Sequence, residues 1–410
     1  YSFEREVILR KRQSNNGQEL KQVLLIFKNR KKGTPIATSP RWGREWNQFK
    51  NDMPHHSGEM AKRNWGDPLH SLCSYQGKLK PSIANQLVSI FVPENGRMLD
   101  IFGGVGTIPL EAALQHKQSF SFDISPAANT ISKAKLSQQS ERRVRNTLTE
   151  LREWIAHHKV KETEVAECAK FGLNKTLKDY FHPKTLNEIL SARKFFATHG
   201  SETAERSLVM SALMHILHGN RPYALSRRSH GITPFAPTGE FDRKDLMDKL
   251  TEKVERSLSK AEGRKKFLEG HVYFQDATKT WPVEINELDA IITSPPFFDS
   301  TRFYAANWMR LWFAGWDPDH FKTEPVNFID ELQKKDLSIY DGIFRQARER
   351  LKKNGALVLH LGKSHKCDMA AALSERAKRW FHVYDIFEES VEDGESHGIK
   401  DRGAVTKHQY

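Results

Sequence analysis

Residues 293–298 read Thr-Ser-Pro-Pro-Phe-Phe and follow the apolar run Ala290-Ile291-Ile292. Proline has a fixed φ and no backbone donor, so a central strand cannot continue through Pro295 and Pro296. A turn made rigid in this way can hold a flat group in one orientation at little entropic cost. The chemistry suited to it is activation of an exocyclic amine, whose lone pair is otherwise delocalised into its ring. Ser294 Oγ and the Pro295 carbonyl are acceptors for the amine N–H groups, and Phe297 offers a stacking face. Ser294, Pro295, Pro296 and Phe297 are the candidate catalytic residues; the plainer reading is a loop after a strand. Phe298 has no assigned task.

A second set of groups lies upstream. Asp100-Ile-Phe-Gly-Gly-Val-Gly-Thr107 places three glycines after a short apolar strand. Glycine lets the backbone turn tightly and approach a ligand closely. The dinucleotide fingerprint would need a third glycine where Pro109 stands, which argues against a nicotinamide cofactor. The phosphate loop GxxxxGK[ST] is also missing. Asp100 can hold a cationic amino-acid moiety, Asp123 both hydroxyls of a ribose, and Asp276 the exocyclic amine of an adenine. A cationic head, a ribose and an adenine together describe S-adenosylmethionine.

Groups so placed need an α/β sheet to present them. Gly96–Phe102 reads as a buried strand, the glycine turn follows, and Ile108–Leu114 starts a helix. Ser119–Phe122 is a second strand that ends at Asp123. This is the first unit of a doubly wound sheet. Upstream, Pro81–Val92 has helical spacing. The rhythm resumes with strands at 271–276 and 288–294, a helix at 341–354 stopped by Gly355, and a strand at 356–362. A helix at 369–380 and a strand at 381–390 complete it, and VTKHQY begins a last strand. The expected fold is α/β, a Rossmann-like seven-stranded sheet at 71–126 and 269–410. Residues 127–268 are long, charged and mostly helical, and read as an inserted helical domain. Residues 1–70 read as a basic N-terminal segment in which EREVILRKR and QVLLIFKNRKK have strand character. Arg41, Trp42, Arg44 and Trp46 interleave cations with indoles, a pattern for holding phosphates and bases. A solvated surface of snorkelling side chains is an equally good reading.

The 410 residues allow two or three domains, and the formal net charge of +13 points to a polyanionic partner, nucleic acid first. Cys73, Cys168 and Cys367 are far apart, which speaks against a disulfide framework or a zinc site and for a reducing, cytoplasmic setting. No metal is expected. No run of apolar residues is long enough for a membrane span, and the start YSFEREVILRKRQ lacks a signal-peptide centre. The chain begins and ends inside patterned sequence, as a trimmed form of a longer protein would.

DIFGGVGT at 100–107 resembles the DPFxGxGT loop of S-adenosylmethionine-dependent DNA amino-methyltransferases. TSPPF at 293–297 resembles their (D/N/S)PP(Y/F) motif. YQGKLKP at 75–81 resembles the segment that precedes the glycine loop in that group and closes over the methionine end. The resemblance covers about 75–126 and 270–410 and departs at Ile101, where the family has proline. It implies cofactor-binding roles for Tyr75, Gln76, Lys78, Asp100, Phe102, Gly104, Gly106, Thr107, Asp123 and Asp276. A base inside a duplex must be flipped out before it can react. In the family, Asp or Asn before the prolines goes with adenine N6 and Ser with cytosine N4. Ser294 therefore favours cytosine N4. Carbon-5 chemistry needs a Pro-Cys nucleophile, and none of the three cysteines follows a proline.

The glycine loop precedes the SPPF turn with a large insert between, an order that resembles the group that carries its target-recognition region between the two motifs; the resemblance implies that role for 127–268. Arg221, Arg227, Arg228 and His230 are candidates for groove or phosphate contacts on double-stranded DNA. Arg302 and Tyr304 are candidates for neighbours of the flipped base. The plainer reading of each cation is a scattered surface charge. Trp308, Trp312 and Trp316 recur at helical spacing and read as a core stripe. His360 and Lys363 read as edge residues without a task. Adenine-N6 methylation, RNA base methylation and non-catalytic nucleic-acid binding are the rival functions. The resemblance is compatible with a nucleoid-associated enzyme and with a cognate restriction endonuclease or defence-system partner.

Overall fold

The computed structural model describes residues 21–29, 40–62, 65–261, 267–298, 302–363 and 367–390. Seven strands form one mixed sheet in the order β4-β3-β2-β5-β6-β1-β7. They are β1 (Lys21–Asn29), β2 (Arg97–Asp100), β3 (Gln118–Asp123), β4 (His271–Phe274), β5 (Leu288–Thr293), β6 (Leu351–Lys363) and β7 (Phe381–Ser390). β2 pairs in parallel with β3 and β5, as do β3 with β4 and β5 with β6. β1 is antiparallel to both β6 and β7. The fold is therefore α/β with a Rossmann-like seven-stranded sheet, as the strand–helix alternation predicts.

Both faces of the sheet are covered, and this explains why the central strands are continuous apolar runs. On one face Leu24, Ile26, Met98, Ala290, Ile292, Ala356 and Val358 pack with the helices Gly43–Asp52 and Pro81–Phe91. On the other, Leu25, Phe27, Leu99, Ile291, Leu357 and Leu359 pack with the helices Ile339–Arg350 and Met369–Ala377. Successive residues of each strand thus alternate between two cores, as the pleat requires.

The N-terminal segment is part of this sheet. β1 lies between β6 and β7, so the boundary at residue 70 separates no structural unit. Trp42 and Trp46 are buried core residues beside Phe91, so the indoles form no nucleic-acid platform, while Arg41 and Arg44 beside them are exposed. EREVILRKR and VTKHQY lie outside the described residues.

The insertion extends the crossover between β3 and β4. The helix Pro126–Leu136, although beyond the expected boundary at 126, packs against both strands and belongs to the sheet layer. The helices Glu141–His157, Pro183–His199, Ala204–Ile216 and Leu246–Ala261 build outward from it. Their core is continuous with Ala127 and Ile131 and with Trp308, Trp312 and Trp316. The tryptophan stripe is thus core, as its spacing indicates. Arg310 Nη1 donates to the Ile232 carbonyl at 2.9 Å, so the segment after the SPPF turn is fastened to the insertion's 221–239 loop.

Gly355 does not stop a helix. The helix ends at Arg350 and β6 begins at Leu351. Gly355 sits in a register shift opposite Asp289, where a Cβ would crowd the Leu288 and Asp289 carbonyls at 3.1 and 3.2 Å. Among the described residues, no helix is long and apolar enough to cross a membrane.

Candidate functional site

Because β2, β3, β4 and β5 run in parallel, their carboxyl ends emerge at one sheet edge, where open α/β sheets bind ligands. A cleft opens there. Its walls come from residues 75–79, the glycine loop, the ends of β3 and β4, the SPPF turn and the segment 327–330. Of the residues singled out from sequence, Tyr75, Gln76, Lys78, Asp100, Phe102, Gly104, Thr107, Asp123, Asp276, Ser294 and Pro296 line it. Residues up to 221 positions apart in the chain (Tyr75 and Pro296 mark the ends) are thus assembled into one site.

The glycine loop is shaped by two left-handed residues. Gly104 has φ +49° and Gly106 φ +69°. A Cβ on Gly106 would collide with Ser132, so Gly106 seats the N-terminus of the helix Thr107–Leu114 against the helix Pro126–Leu136. Gly106 itself does not line the cleft. Beside Gly104 there is open space where a Cβ would be. The Gly104 N–H donates to Asp123 Oδ2 at 2.9 Å, and the Ser125 N–H donates to Oδ1 at 2.7 Å. Those bonds fix the Asp123 carboxyl at the end of β3.

Asp100 is 2% exposed. Its Oδ1 accepts the Thr293 hydroxyl at 2.6 Å and the Phe102 N–H at 3.1 Å. Burial raises its pKa to about 7 and that of Asp123 to about 6. Asp330, which sequence reasoning passes over, is buried in the same wall and is raised to about 6, also by burial. Three carboxyls pushed up by burial in one wall are groups whose charged forms a cationic ligand would favour. Asp276 Oδ1 is held by the Thr278 N–H at 2.8 Å and hydroxyl at 2.7 Å.

Two buried polar atoms in this wall, Thr107 Oγ1 and Asp330 Oδ1, have no hydrogen-bond partner among the described residues. Orphaned atoms of this kind are costly unless a ligand or water meets them. Together with the carboxyls and the open space at Gly104, they fit a polar, cationic nucleoside. Tyr75 points its hydroxyl at Ser125 Oγ, 3.4 Å away, and burial raises its pKa. Lys78 Nζ donates to the His70 carbonyl at 2.7 Å.

The SPPF turn is braced from below. Gln333 Nε2 donates to the Pro296 carbonyl at 3.0 Å, and the Tyr340 hydroxyl donates to Gln333 Oε1 at 3.0 Å. Ser294 Oγ lies 3.0 Å from His360 Nδ1. His360 is 1% exposed on an internal strand of the sheet, so it is not the edge residue its sequence position suggests. Lys363 ion-pairs with Asp368 and Glu388.

The two aromatic assignments change. Pro295 and Phe297 do not line the cleft. The Phe297 ring lies 5.7 Å from the His360 ring and covers Gly362, where any Cβ would strike it. The rings in the cleft wall are Tyr75, Phe102, Phe303 and Phe328, and Phe303 rests on Gly77 (φ +80°). The sequence points instead to its neighbours Arg302 and Tyr304; Arg302 is exposed near Glu331, and Tyr304 packs on the insertion core. The helix Phe303–Ala306 turns alternate side chains to different surfaces, a phase that only its boundaries reveal. Phe298 packs partly buried against the sheet core.

The insertion cations lie apart from the cleft. Arg221 and Arg228 are exposed. Arg227 is committed internally: it donates to the carbonyls of Gly239 at 2.7 Å and Asp179 at 3.1 Å and lies over Phe241. His230 Nδ1 accepts from the Ile232 and Thr233 N–H groups at 3.4 and 3.3 Å.

The chain matches no protein-family model and no curated protein.

Proposed function

We propose that the chain is a DNA methyltransferase that moves the methyl group of S-adenosylmethionine to the exocyclic N4 of a flipped cytosine. The observation that carries this reading is the single cleft that joins the glycine loop, Asp123 and Asp276 to Ser294 and Pro296. Asp100 and Tyr75 would hold the amino-acid end of the cofactor, Asp123 the ribose and Asp276 the adenine amine. S-adenosylmethionine, when bound, supplies a methyl group already activated on a sulfonium. The protein's share is orientation: Ser294 accepts an amine N–H, and the braced prolines fix where that acceptor stands. Phe303, which lines the cleft as Phe297 does not, is the ring we assign to stack on a base. The excess of Lys and Arg suits a nucleic-acid substrate, and exposed Arg221 and Arg228 are the insertion's candidates for phosphate contacts.

Incubation with labelled S-adenosylmethionine, duplex DNA and structured RNA in parallel tests the reading. Label in duplex DNA that depends on Ser294 supports it. Label in RNA alone would replace it with RNA base methylation.

A further inference from the structure

The acceptor hydroxyl of the SPPF turn has a buried imidazole behind it. A serine hydroxyl carries one proton and two acceptor sites, and its rotor goes where the surroundings direct it. If that proton points into the cleft, Ser294 presents a donor to an incoming amine and repels it. If the proton is taken from behind, both lone pairs are free for the amine. His360 Nδ1, 3.0 Å from Ser294 Oγ, is the group placed to take it.

The fold holds the imidazole there. His360 lies on β6, paired with Leu24 of β1 in the register of an internal ladder, and is almost wholly buried. Phe297, three residues after Ser294, packs its ring toward His360 and over Gly362. The aromatic of the motif thus works as a clamp on the imidazole. Burial lowers the pKa of His360 to about 4, so the ring is neutral near pH 7 and one nitrogen can accept. The charged groups that face it are Glu389 of β7, which favours protonation, and His55, which opposes it. Glu389 is itself bonded to His55 at 2.8 Å and to His56 at 3.3 Å, so its charge is directed at those partners.

We propose that His360 is a positioning residue for methyl transfer: its Nδ1 accepts the Ser294 hydroxyl proton and so turns the Ser294 lone pairs toward the target amine. The inference rests on the amino-methyltransferase reading above. No bond is made or broken at His360; it sets which face of the Ser294 hydroxyl the substrate meets. Serine in place of an acidic residue before the prolines calls for such a partner, because a carboxylate is acceptor-only and a hydroxyl is not.

The test compares the full chain with His360→Ala, His360→Asn and His360→Gln, each assayed for cofactor binding and for single-turnover methyl transfer to duplex DNA. Asn carries an acceptor near the position of Nδ1, and Gln one near Nε2. His360→Ala is expected to lower the transfer rate roughly tenfold or more, the scale of one missing hydrogen bond in the reacting complex, with cofactor affinity within about twofold. His360→Asn is expected to recover most of that loss and His360→Gln little of it. In a Ser294→Ala background the His360→Ala change is expected to have almost no further effect. Equal rates for the Asn and Gln variants, or additive losses in the double variant, would overturn the inference. Its failure is distinguishable from failure of the functional reading, because in the latter case the unaltered chain itself neither binds S-adenosylmethionine nor labels DNA.

Discussion

The Thr293 hydroxyl donates to Asp100 Oδ1 at 2.6 Å, which joins the last residue of β5, immediately before the SPPF turn, to the last residue of β2. The Phe102 N–H reaches both groups, at 3.1 Å each. The loop that would hold the cofactor and the turn that would hold the base are therefore one hydrogen-bonded unit, made possible by the pairing of β2 with β5. Thr293→Val keeps the shape and removes the donor. A buried acceptor left short of a partner costs about 1–3 kcal/mol. Thermal unfolding and cofactor titration of this variant are expected to show lower stability and weaker binding together.

The raised carboxyls give a pH dependence of definite sign. Asp100 at about 7 and Asp123 at about 6 hold protons in the folded chain that the unfolded chain releases at ordinary carboxylate pKa values. For these groups stability of the ligand-free protein is greatest below the unfolded values. It falls as pH rises through that range toward 7. A bound cation favours the charged carboxylates and reverses the trend. The stabilisation conferred by S-adenosylmethionine is expected to grow between about pH 5.5 and 7.5, with proton release on binding near pH 6. Calorimetry in two buffers of different ionisation enthalpy reads that release directly.

Phe303 in the cleft wall and Phe297 behind the turn differ in their access to a stacked base. Phe303→Ala is expected to weaken nucleic-acid engagement by about 1–3 kcal/mol, the range for one base stacked on an aromatic. Phe297→Ala is expected to leave DNA affinity within about twofold while slowing transfer, because the ring packs on His360 rather than in the cleft. Gel-shift titration beside single-turnover rates separates the two. A larger loss of affinity for Phe297→Ala would reverse the assignment.

The insertion arginines divide by exposure. Arg221→Ala with Arg228→Ala is expected to weaken DNA binding and to flatten its salt dependence, since each phosphate no longer neutralised reduces the slope by about 1. Arg227→Ala removes bonds to the Gly239 and Asp179 carbonyls, so its expected effect is on the stability of the 221–239 loop. Binding measured at several salt concentrations, with thermal unfolding as control, checks both.

Local sequence made much of this architecture legible. Asp100, the glycines and Asp123 follow a strand–turn–helix–strand pattern that short-range residue choice dictates, and SPPF marks a strand end because proline must. The tryptophan stripe could be read from spacing alone. What stayed hidden depends on pairing across the sheet. Nothing in QVLLIFKNRKK says that its strand enters between β6 and β7, and nothing in ALVLHLG says that His360 will stand behind Ser294. Both follow from register between segments distant in the chain. Phe303 escaped notice for a smaller reason: the phase of a one-turn helix decides which of three neighbours faces the cleft. Trp42 and Trp46 misled because indoles beside arginines look alike in a core and on a nucleic-acid surface.

The most direct test uses duplex oligonucleotides in which only cytosine or only adenine can accept a methyl group, labelled S-adenosylmethionine, and identification of the modified nucleoside. The expected product is N4-methyldeoxycytidine, lost on Ser294→Ala while cofactor binding persists. N6-methyladenine as the sole product would contradict the cytosine assignment, and no label in either duplex would contradict DNA methylation itself.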